Sequence, residues 1–118
     1  MDIRKIIETF KEHPDYKKMG MIASHLGLVR ENSLDGRKVQ GIEVVFYKDD
    51  IDKIISEIKG IDGKYHVVVE YSEGELEVGE EIMAVVVGGD TREHVFPALI
   101  QAVDRIKKVG GKKKEIFL

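Results

Sequence analysis

The residues of this chain whose type and spacing could do chemistry are mostly cations. Residues 105 to 115, "RIKKVGGKKKE", hold six bases and one acid. The full 118 residues hold 19 bases and 22 acids, a net charge of −3, which leaves 13 bases against 21 acids outside that segment. A mildly acidic body with one concentrated basic stretch points to a local anionic partner. It does not fit a general nucleic-acid coat, which calls for a basic domain throughout. Crowded ammonium groups push a lysine toward its neutral form, so that it can give or take a proton near neutral pH. Lys107 and Lys108 close a helical pattern, where cations complement the dipole, and Asp104 supports Lys108 from four residues back. A solubilising helix end accounts for those two. It accounts less well for Lys112, Lys113 and Lys114, which follow the Gly110-Gly111 turn.

Two further cations stand at element ends. In "GGDTRE", residues 88 to 93, a strand runs into two glycines, a capping Asp90 and Thr91, and then Arg92. Helix N-termini carry free N–H groups and the positive end of the dipole, which suit anions. No Walker pattern is present. In "GLVRE" Arg30 ends a strand, and its planar fork can bind two phosphate oxygens. The histidines His13, His25, His66 and His94 lack metal-ligand spacing. His66 reads as a strand residue, and His94 flanks the helix start at Arg92. The acids Glu70, Glu73, Glu75, Glu77, Glu80 and Glu81 read as a solvated turn. The absence of cysteine excludes disulfides, thiolate metal sites and cysteine nucleophiles.

These residues need elements to hold them. Ile3, Ile6, Ile7 and Phe10 predict a helix within residues 2 to 13, stopped by Pro14. Residues 20 to 29 read as a strand, "RENSLDGRK" as a polar loop, and "VQGIEVVFY" as a strand with a bulge at Gly41. Asp49 or Asp50 caps a helix carrying Ile51, Ile54, Ile55 and Ile58, closed by Gly60. "YHVVVEYS" is a strand, "EGELEVGEE" an acidic turn or short hairpin, and "IMAVVVGG" a buried strand. A last helix spans about Thr91 to Lys108, with Phe96, Leu99, Ile100, Val103 and Ile106 as its apolar stripe. Pro97 costs little only in a first turn, which argues for a start later than Thr91. "KEIFL" closes as a strand. The order α β β α β (β) β α β lacks strict βαβ alternation and favours an α+β fold in one domain, residues 1–118. Residues 1–19 form its N-terminal helix and connection. No apolar run approaches the roughly 20 residues of a membrane helix, and "MDIRKIIETF" lacks a signal-peptide layout. A soluble, cytoplasmic protein is expected.

Taken in order, these pieces resemble the large, catalytic subunit of molybdopterin synthase. The anchors are "GLVRE" at 27 to 31, Tyr47, "GELEVGEEI" at 74 to 82, Arg92 with Phe96, "DRIK" at 104 to 107, and Lys114. The resemblance implies an α/β-hammerhead fold with an additional β subdomain, and a homodimer. It implies a small ubiquitin-like sulfur-carrier subunit whose C-terminal Gly-Gly bears a thiocarboxylate. The implied reaction installs two sulfurs on cyclic pyranopterin monophosphate, with no metal or other cofactor of the synthase itself. Lys107 and Lys114 match the family's two catalytic lysines. Arg30 and Arg92 match arginines of the substrate pocket, and Thr91 and Lys113 fall beside them. Thr91 stands where the family usually carries histidine, Tyr71-Ser72 where it carries a second His-Arg pair, and Pro97 where it commonly has Glu. These departures motivate a second reading, a pterin- or carrier-binding relative without turnover. A third, a nucleic-acid module using the basic end, is opposed by the few aromatics there for base stacking.

Overall fold

In this computed structural model residues 1–59 and 62–118 are described. They form α1 (Ile3–Phe10), a 3-10 turn (Tyr16–Lys18), β1 (Met21–Leu28), β2 (Val39–Phe46), α2 (Lys48–Lys59), β3 (Lys64–Tyr71), β4 (Gly74–Glu77), β5 (Glu81–Gly89), α3 (Arg92–Val109) and β6 (Gly111–Phe117). The strands make two antiparallel three-stranded sheets, ordered β1-β5-β3 and β4-β2-β6. This is the expected α+β architecture, with the second sheet as the added β subdomain.

The first sheet is covered on both faces. From Met83 to Gly89 every residue of β5 is buried, as a central strand packed on two sides requires. Val85 and Val87 meet Ile51, Ile54 and Ile58 of α2 and Val95, Ala98, Ala102 and Ile106 of α3. Ala84 and Val86 meet Ile6 and Phe10 of α1 on the other face. Gly88 lets α1 sit this close. A Cβ there would stand 2.9 Å from the Phe10 ring and 2.7 Å from Met19 Sδ. The second sheet has its own small core of Val29, Ile42, Val44 and Leu76.

Several expectations are corrected. α2 begins at Lys48, so Asp49 and Asp50 lie inside its first turn and do not cap it. They still favour the positive end of the dipole. Gly60, expected to close α2, lies outside the described residues. "GELE" is a strand in the second sheet, pairing Leu76 with Ile42, where a local turn or hairpin was expected. Pro97 lies in the interior of α3, which starts at Arg92. Its ring is exposed on the solvent side, where water can satisfy the carbonyl left unpaired one turn back. The bulge expected at Gly41 is present, as a register shift between Val39 and Gly41.

Candidate functional site

α3 carries two of the cations and sets the distance between them. Arg92 opens it and Lys107 lies in its last turn. Fifteen residues at 1.5 Å each separate them by about 22 Å along the axis. At 100° per residue they fall within about 60° of each other around the helix. Phe96 and Ile100, 49% and 60% exposed, lie between them on the same stripe. Arg92 and Lys107 therefore sit at opposite ends of one exposed, partly apolar helix face. Within one chain Lys107 therefore does not lie beside Arg92.

The start of α3 is held by its neighbours. Thr91 is the N-cap in extended conformation, and its hydroxyl makes no capping bond. The Thr91 N–H donates to Asp90 Oδ1 at 2.6 Å. His94 Nδ1 pairs with the same oxygen at 2.7 Å. The His94 bond, then the Thr91 N–H, hold the Asp90 carboxyl below its usual range. His94 thus turns to Asp90, about 200° around the helix from Arg92, and does not line the Arg92 face. Among the described residues Arg92 itself pairs only with Glu93, at 3.5 Å in an exposed ion pair.

Lys107 shares its end of the molecule with Arg30. Met21 of β1 pairs with Gly89, which leads into α3, so the two elements start together. α3 packs over β1, and both run away from that point. Lys107 and the last residues of β1 consequently lie at the same end. Arg30 follows there, after buried Val29, whose N–H donates to Glu80 O at 3.0 Å. Arg30 and Lys107 are both exposed. His25 of β1 joins them. Burial, and then the charge of Lys107, lower its pKa. His25 passes as a strand residue in the sequence. Its one signal is being the lone titratable group in an apolar strand.

The remaining lysines lie on β6. This strand starts at Gly111, earlier than "KEIFL" suggests, and takes in Lys112, Lys113 and Lys114. Gly111 permits the sharp entry, since a Cβ there would stand 2.5 Å from the Val45 carbonyl oxygen. Lys114 is opposite Glu43, Lys113 opposite Val44 and Lys112 opposite Val45. Directly opposed residues share a face of the sheet. Lys114 and Lys112 therefore lie on the outer face with exposed Glu43 and Val45. Lys113 lies on the face of buried Val44. An open depression is lined by Glu43, Val44, Val45 and the three lysines. Tyr71, one of the departures from the resembling family, stacks on Phe46 with ring centroids 4.6 Å apart. Among the described residues no group of three or more His, Asp or Glu is placed to hold a metal. No described helix is long and apolar enough to cross a membrane.

Two antiparallel sheets, two helices over one face of the first, and cations on α3, on β6 and after β1 define a hammerhead-type α+β protein with exposed cations at several element ends. The structure is similar to molybdopterin synthase from Staphylococcus aureus, with a TM-score of 0.80 and 22% identity, covering 100% of this chain and 86% of that one. It is similar to molybdopterin cofactor biosynthesis protein E from Burkholderia multivorans, with a TM-score of 0.77 and 22% identity, covering 100% of this chain and 82% of that one. A complex of subunits 1 and 2 of the molybdopterin-converting factor from Helicobacter pylori matches with a TM-score of 0.68 and 19% identity, covering 99% of this chain and 84% of that one. At these identities the likeness establishes the fold. No curated protein matches the chain significantly. The family model described as MoaE protein matches residues 1–109, and the chain belongs to that family.

Proposed function

We propose that this chain is the catalytic subunit of a molybdopterin synthase. In this reading it takes sulfur from the thiocarboxylate of a small ubiquitin-like carrier and places it on cyclic pyranopterin monophosphate. The observation that carries the reading is the family match, which spans Arg30, Arg92 and Lys107. Lys113 and Lys114 lie just beyond the matched residues. Lys107 is the acid–base group at the thiocarboxylate, and Lys114 assists it. Arg30, Arg92, Thr91 and Lys113 hold the substrate, whose phosphate and developing charge favour pre-placed cations. Sulfur supplied by a partner suits a chain without cysteine.

The same reading includes a homodimer. Within one chain α3 keeps Arg92 about 22 Å from Lys107, too far to share one pterin. A two-fold related copy repeats the helix in the opposite sense and can bring its Arg92 to the first copy's Lys107. The exposed Phe96 and Ile100 between them suit such a contact. The reading is tested by reconstitution with thiocarboxylated carrier and the cyclic pterin. Molybdopterin should form with wild type and not with Lys107→Ala. Tight carrier or pterin binding with no product at all would instead favour the non-catalytic relative, which Thr91, Tyr71 and Ser72 motivate.

A further inference from the structure

β1 alternates strictly. Met21 and Ala23 pack into the core beneath α2 and α3. Ser24, Leu26 and Leu28 point to the other face and are exposed. His25 follows Ala23 on the helix side, opposite Val85, which is fully buried in that core. It is the polar group reached where the apolar packing under α3 gives out, and it is half-buried. The next residue on this side is Gly27, where an added Cβ would stand 3.4 Å from His25 Nε2. The absence of a side chain there leaves that ring nitrogen room for a partner.

Among the described residues two cations share this end of the molecule, Arg30 after β1 and Lys107 on α3. Across the strand pair β5 presents Met83, Ala84 and Val85, none titratable. α1 packs on the opposite face of the sheet. On α3 Arg105 turns away to Glu57 of α2, whose carboxyl it holds below the usual range. Lys107 is the group of α3 whose charge reaches the imidazole. Burial and that charge both favour the neutral ring, with a lone pair to offer.

We propose that His25 is a positioning residue for Lys107, accepting an N–H of the lysine side chain on its uncharged ring and holding the amine at the end of β1. The inference rests on the reading of Lys107 as the acid–base group. The hydrogen bond itself transfers no proton. Protonation of His25 removes the acceptor and sets two cations side by side, so the arrangement is lost in acid. His25 thereby places an imidazole at the Lys107 end of α3, while Thr91 stands in place of a histidine at the other.

The first test needs no turnover. The histidine resonances are titrated by NMR in wild type and in Lys107→Gln. His25 should titrate below the ordinary histidine value in wild type. It should rise by about half a pH unit in Lys107→Gln, the scale of Coulomb's law for nearby charges in a watery setting. A His25 titration unmoved by that substitution overturns the inference. The second test is the pH–rate profile of the reconstituted reaction. His25→Ala should lose roughly 10- to 100-fold in kcat with KM little changed. His25→Gln keeps an acceptor that does not titrate. It should recover part of that loss and lose the acid limb centred on the His25 pKa. An acid limb unchanged in His25→Gln also overturns the inference. A wild type with the NMR coupling but no sulfur transfer would instead overturn the synthase reading and leave the pairing in place.

Discussion

Mixing two inactive variants should restore about a quarter of wild-type activity. The variants are Arg92→Ala and Lys107→Ala. Arg92 and Lys107 belong to one 18-residue helix and are separated along it by about 22 Å. If one substrate needs both, they come from different protomers. Each variant alone then spoils both sites of its dimer. Random pairing of the two gives mixed dimers in about half of the population. Every mixed dimer has one site lacking both residues and one site with both intact, hence the quarter. Neither substitution should harm folding. The Arg92 side chain is 77% exposed and among the described residues pairs only with Glu93, and Lys107 is exposed in the last turn. The variants are co-refolded, mixed dimers are verified by differential tagging, and sulfur transfer is measured. Mixed dimers with no more activity than either parent would refute the reasoning and place both residues in one chain's site.

Two other perturbations follow from the packing and the charges. Phe10 is fully buried against His66, with ring centroids 4.6 Å apart. Phe10→Ala should therefore cost about 3–5 kcal/mol in urea unfolding. A loss below about 1 kcal/mol would mean that α1 contributes little to the fold. His66 is held below its ordinary pKa by burial first, then by the charges of His13 and Lys59. Its Nδ1 is buried without a hydrogen-bond partner among the described residues. The unfolded chain therefore binds the proton first. The stability from neutral His66 is fully present above the unfolded value of about 6.5 and is lost as pH falls toward the folded value. His66→Phe should flatten the dependence of unfolding free energy on pH between about 7.5 and 5.5. An unchanged slope would contradict this.

The order of elements was legible because local periodicity reports it. Helical spacing marked α1, α2 and α3, and the run of valines marked β5 as a buried strand. The bulge at Gly41 was legible from a glycine inside an alternating strand. Long-range partners were not. "GELE" carries glutamates on both sides of Leu76 and reads as a turn until Ile42 is seen opposite it. Pro97 reads as a helix start because its tolerance depends on which side of α3 faces water. At the site, residue type and family resemblance pointed to Arg30, Arg92, Lys107 and Lys114. Their arrangement depended on helix length and sheet register. The register puts Lys114 beside Glu43 and Lys113 beside Val44. His25 was missed because its relation to Lys107 exists only after α3 has packed over β1.

The most direct measurement of the central claim is single-turnover sulfur transfer from a thiocarboxylated carrier to cyclic pyranopterin monophosphate. Wild type should yield molybdopterin, and Lys107→Ala should fall by roughly 100- to 10,000-fold, the range for a lost general acid–base group. Product formation by Lys107→Ala at the wild-type rate, or none by wild type, would contradict the account.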